Sequence, residues 1–95
     1  MIELRGCGTA LVTPFKSNGE IDLDAYRHLV NWQVESGIDF VVPCGTTGES
    51  VTLEQEEYHQ VIGACMKAVS GAVPVVAGAG TNNTAHAVEL AKIAE

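Results

Sequence analysis

The apolar positions of the chain follow two patterns that take turns. Three short apolar runs, Thr9–Val12, Phe40–Val42 and Val73–Ala77, each end in a segment rich in Gly, Pro and Thr. Runs of this length, rich in Val and bounded by turn residues, predict strands buried on both faces. Between them the spacing becomes helical. Asp22 as N-cap, apolar Leu23, Tyr26, Leu29, Val30 and Val34, and a Ser36-Gly37 stop predict a first helix. A second opens with Thr52-Leu53-Glu54-Gln55, read as a capping box in which Thr52 and Gln55 satisfy exposed amides reciprocally. Its stripe runs through Tyr58, Val61, Ile62, Cys65, Met66 and Val69, and Gly71 closes it. A third starts near Asn83-Thr84 and continues through Ala87, Leu90, Ala91 and Ala94.

The order is therefore βαβαβα, which implies a parallel sheet with right-handed crossovers. Strand centres fall roughly 30 to 35 residues apart, the size of one βαβ repeat. Eight such units would make roughly 250 residues, the length of a (β/α)₈ barrel, and three cannot close one. No linker or composition shift interrupts the 95 residues, and the last helix has no stop signal. The chain is expected to be the N-terminal part, residues 1–95, of a single larger domain.

Composition narrows the partners. Five Lys and Arg stand against twelve Asp and Glu, a net charge of −7 with no basic cluster. That argues against a nucleic-acid backbone, whose binding needs cations to displace counterions, and against a polybasic membrane patch. Cys7, Cys44 and Cys65 are widely spaced and form no C-x-x-C, which fits reduced thiols in a cytoplasmic protein better than disulfides or a zinc site. The first residues lack the apolar core of a signal peptide.

Candidate chemistry lies in Cys44-Gly45-Thr46-Thr47-Gly48-Glu49-Ser50, between the second strand and its helix. In parallel α/β folds ligands bind at that edge of the sheet. Gly45 and Gly48 would allow close approach and positive φ, the turn amides could form an anion nest, and Thr46 and Thr47 add hydroxyls for a carboxylate or a proton relay. An ordinary βα turn with incidental threonines accounts for the spacing equally well.

The residues Gly45-Thr46-Thr47-Gly48-Glu49-Ser50 with Thr52-Leu53 resemble the signature of the dihydrodipicolinate synthase and N-acetylneuraminate lyase family. Thr9-Ala10-Leu11-Val12-Thr13-Pro14-Phe15 and Pro74-Val75-Val76-Ala77-Gly78-Ala79-Gly80-Thr81-Asn82 agree in register. The Thr-Thr pair is more similar to the synthase branch than to the lyase branch, which tends to have Ser-Thr. The resemblance implies three βα units of a TIM barrel, a lyase of the class I aldolase type in lysine and diaminopimelate biosynthesis, and no metal or cofactor. It implies that Thr47 holds the pyruvate carboxylate, that Thr46 belongs to a proton relay with two tyrosines, and that Ala10 and Gly45 line the substrate site. A lysine amine would form a Schiff base with pyruvate, and the enamine would attack L-aspartate-4-semialdehyde. The family is usually a homotetramer.

The Schiff-base lysine, the relay tyrosines and the arginine for the aldehyde's carboxylate match nothing in this chain. Lys16 lies in a loop, Lys67 and Lys92 on helices, and Tyr26 and Tyr58 in apolar helical stripes. In lysine-inhibited relatives an allosteric pocket matches Ser50, Val51 and Asn82 here, and Gln55, Tyr58 and His86 stand where two histidines and a glutamate are common. Weak feedback inhibition by lysine is the expectation. A sialic-acid-type or keto-deoxy-sugar aldolase is the alternative within the family, and a non-catalytic barrel fragment the alternative outside it.

Other features carry less. Gly78-Ala79-Gly80 lacks the third glycine of a dinucleotide fingerprint, and Asn82-Asn83-Thr84 reads as a helix start rather than a glycosylated sequon. His28, His59 and His86 fall on three helices without ligand spacing, and Glu54, Glu56 and Glu57 suit the start of a helix. Cys44 is expected to be a buried thiol rather than a reactive one.

Overall fold

The computed structural model describes residues 2–95. Strand β1, Gly8–Ala10, pairs in parallel with β2, Phe40–Val42, in the register Gly8–Phe40, Thr9–Val41, Ala10–Val42. The third apolar run joins the other edge of β2. Val75 bridges Val41 in parallel, with Val41 N–H donating to the Pro74 carbonyl (3.1 Å) and Val76 N–H to that of Val41 (2.9 Å). It forms this bridge rather than the regular strand expected over Val73–Ala77. Pro74 has no N–H to give a ladder.

Helices α1 (Leu23–Glu35), α2 (Gln55–Val69) and α3 (Thr84–Ala94) connect and follow these runs. The extents of 36 × 34 × 19 Å are those of a slab about two layers thick. Burial explains the layering. Leu11 and Thr13 are buried whereas Ala10 and Val12 are exposed, so the end of the first run alternates with the period of a strand. Burial on both faces was the expectation, and only one face is packed there.

The packed side holds Leu11 and Val41 against Tyr26 and Val30 of α1 and Tyr58, Val61, Cys65 and Val69 of α2. Met66, expected in the α2 stripe, is instead 54% exposed. The third helix adds only Leu90 to the buried set.

Helix ends follow the sequence with one exception. Asp22 accepts from Ala25 N–H at 3.0 Å, Asn83 accepts from His86 N–H at 3.1 Å, and Gly37 turns left-handed after α1. The cap of α2 is Glu54, not Thr52. Glu57 Oε1 accepts from the Glu54 backbone N–H at 2.9 Å, the reciprocal arm of a capping box. Thr52 sits earlier, in a 3₁₀ turn over Ser50–Thr52, with its hydroxyl donating back to the Glu49 carbonyl at 2.9 Å. That local bond takes the hydroxyl away from the helix start.

Candidate functional site

Segments following all three runs meet at the C-terminal edge of the sheet. The loop after β2 folds on itself, with Gly48 N–H donating to the Gly45 carbonyl (3.1 Å) and Glu49 N–H to that of Thr46 (3.0 Å). This leaves Thr46 and Thr47 exposed at its crest. Neither of their backbone N–H groups donates to a backbone carbonyl among the described residues. Gly45, half-buried, precedes them, and Ala10, the last residue of β1, is exposed at the same edge opposite Val42. The crest thus offers two hydroxyls and two amides, donors suited to a carboxylate.

The glycines of this loop play half of the part expected of them. Neither Gly45 nor Gly48 has positive φ; the left-handed positions are Cys44 (φ 56°) and Glu49 (φ 59°), which bracket the loop. Gly48 does supply the close approach expected of it. A Cβ there would lie 2.9 Å from the Leu11 carbonyl oxygen. At Gly45 a Cβ would meet only Val42 Cγ1 at 3.6 Å, an ordinary contact.

Two residues that anchor the loop escaped the sequence reading. The Thr13 hydroxyl, buried, donates to the Gly48 carbonyl at 2.8 Å. Gly78 presses on Cys44 so closely that a Cβ would fall 2.2 Å from the Cys44 carbonyl oxygen. Gly78 N–H donates to Pro43 O at 2.9 Å, and its own carbonyl accepts from Tyr58 Oη at 2.6 Å. The signal for Gly78 was its place just after the third run, where a backbone can approach its neighbour.

Cys44 is buried, and burial, with Cys65 nearby, pushes its thiol up to about 12. Burial likewise raises Cys65 and, more strongly, Tyr26. The Tyr26 hydroxyl is buried without a hydrogen-bond partner among the described residues; the Cys65 thiol is close but does not reach bonding geometry. His28, His59 and His86 are exposed, and no group of three His, Cys, Asp or Glu among the described residues could hold a metal. No described helix is long and apolar enough to cross a membrane.

A second concavity, about 400 Å³, lies between the 3₁₀ turn and α3. It gathers Ser50, Val51, Asn82 and His86, with Gly80 and Leu90. Tyr58 is not among its walls, because the ring is buried in the core. The three candidate positions on the chain's 3₁₀ turn and third loop are therefore brought together with His86, and Tyr58 is not.

Residues 3–95 match the Dihydrodipicolinate synthetase family. The chain belongs to this family. It is 62% identical over 91 residues to a 4-hydroxy-tetrahydrodipicolinate synthase of Koribacter versatilis, covering 96% of this chain and 30% of that protein. Its structure superposes on the dihydrodipicolinate synthase of Acinetobacter baumannii, solved in complex with pyruvate, with a TM-score of 0.94 at 39% identity, over 97% of this chain and 32% of that one. An N-acetylneuraminate lyase from Mycoplasma synoviae follows at a TM-score of 0.82 and 32% identity, over 93% and 30%. The fold is thus three βα units of a (β/α)₈ barrel, and the chain spans about a third of the length of these family members.

Proposed function

We propose that this segment is the N-terminal part, residues 1–95, of a single barrel domain of a cytoplasmic 4-hydroxy-tetrahydrodipicolinate synthase, a homotetramer in lysine biosynthesis. The reading is carried by the exposed Thr46-Thr47 crest with its unspent amides, at the sheet edge where barrels bind substrates, in a family member. Thr47 would donate its hydroxyl and amide to the pyruvate carboxylate, beside Ala10 and Gly45. A lysine outside this segment would add its amine to the pyruvate ketone, releasing water as the imine forms. Loss of a methyl proton gives the enamine, whose carbon attacks the aldehyde of L-aspartate-4-semialdehyde. Thr46 would carry protons in the imine-forming and cyclising steps, through its hydroxyl.

The test uses the full-length Koribacter versatilis synthase with this segment in place of its matching residues. Thr46→Val is expected to lower kcat by about 10²–10⁴-fold, the range for a proton-transfer group, with pyruvate KM near that of the parent. Thr47→Val is expected to raise pyruvate KM instead. An unchanged kcat in Thr46→Val removes the relay role.

A further inference from the structure

The loop that carries Thr46 and Thr47 is held by a residue from another βα unit. Thr13 follows β1, is 3% exposed, and points its hydroxyl at the Gly48 carbonyl, 2.8 Å away. No backbone N–H donates to that carbonyl among the described residues, so the hydroxyl is its one partner there. Gly48 is seated so tightly that a Cβ would lie 3.2 Å from Thr13 Oγ1 as well as 2.9 Å from Leu11 O. The contact is therefore short-range and directional, and it falls next to Glu49, one of the two left-handed residues that bracket the threonines. Non-glycine residues keep that conformation only where their surroundings hold them.

We propose that Thr13 is a positioning residue for the candidate pyruvate site. Its hydroxyl fixes the exit of the turn and so sets the direction of the Thr46 and Thr47 donors. The inference rests on the roles given to those two threonines above. Small displacements of positioned groups are costly, since a misplacement of about 1 Å can lower a rate by about 10²-fold. Thr13 touches no reacting atom and would act wholly through Gly48.

A purely packing role is the competing account, and two near-isosteric variants separate it. Thr13→Val keeps the shape and removes the donor; Thr13→Ser keeps the donor and removes the methyl. Both are made in the hybrid synthase described above. In Thr13→Val, amide exchange over residues 45–50 is expected to quicken about tenfold, the order of one hydrogen bond. Pyruvate KM is expected to rise by a similar factor, with the KM for the aldehyde within twofold of the parent. Thr13→Ser is expected to restore both values. Equal impairment in the two variants, or parental exchange and KM in Thr13→Val, would overturn the proposal. A parent that forms no borohydride-trappable pyruvate adduct would overturn the functional reading instead, and the exchange comparison would still decide whether Thr13 holds the loop.

Discussion

Tyr26 and Tyr58 are both buried, on adjacent helices, yet their hydroxyls are in opposite situations. Tyr58 Oη donates to the Gly78 carbonyl, whereas Tyr26 Oη has no partner among the described residues. An unsatisfied buried polar group costs about 1–3 kcal/mol, and removing a donor leaves its acceptor in that state. Tyr58→Phe is therefore expected to destabilise by about 1–3 kcal/mol, and Tyr26→Phe to be neutral or stabilising. Urea denaturation of the hybrid synthase and its two variants checks the pair; equal effects would contradict the assignment. The Tyr58 bond also reaches Cys44 through Gly78, so its loss should loosen the threonine loop from the side opposite Thr13.

At the scale of elements, both ends of α1 and the start of α3 were legible because one residue decides each. Asp22, Gly37 and Asn83 have side chains, or the lack of one, that suit a single position. The start of α2 was not, since Thr52 is the better cap by residue type and only the 3₁₀ turn over Ser50–Thr52, which takes up its hydroxyl, moves the cap to Glu54. The threonine loop was located from its residues, but its support was not. The Thr13–Gly48 bond spans 35 positions in sequence, and no local pattern encodes such a contact.

The same 3₁₀ turn forms one wall of the second cavity, facing α3. With Tyr58 held in the core and His86 on the opposite wall, no carboxylate among the described residues lines the cavity to pair with an α-ammonium. Lysine is accordingly expected to inhibit the hybrid synthase weakly, with half-inhibition above the millimolar range. Inhibition at sub-millimolar lysine would refute this.

The whole molecule is a slab with an unfilled side. A groove of about 500 Å³ runs between the third apolar run and the C-terminal helix, lined by Ile62, Met66, Val73, Val75 and Ala91. Apolar surface of this kind, beside a strand paired on one edge only, favours association. The isolated 95-residue chain is therefore expected to elute as oligomers or aggregates on size-exclusion chromatography, and to form no pyruvate adduct under borohydride. A well-behaved monomer with a stoichiometric adduct would mean that the nucleophile lies within these residues.

One thiol of this slab is exposed and two are buried on different elements, and that makes them clocks of its opening. Cys7 is exposed, Cys44 is buried at the entry of the threonine loop, and Cys65 is buried in the core on α2. A thiol pushed up to about 12 holds almost no thiolate at neutral pH, and a buried one meets reagent only when its cover lifts. In the hybrid synthase, alkylation followed by peptide mass spectrometry is expected to label Cys7 at once, Cys44 more slowly and Cys65 last. The delay at Cys44 then measures how often the loop leaves its seat, and Cys65 how often the helices part. Simultaneous labelling of Cys44 and Cys65 would show that loop and core open as one cooperative unit.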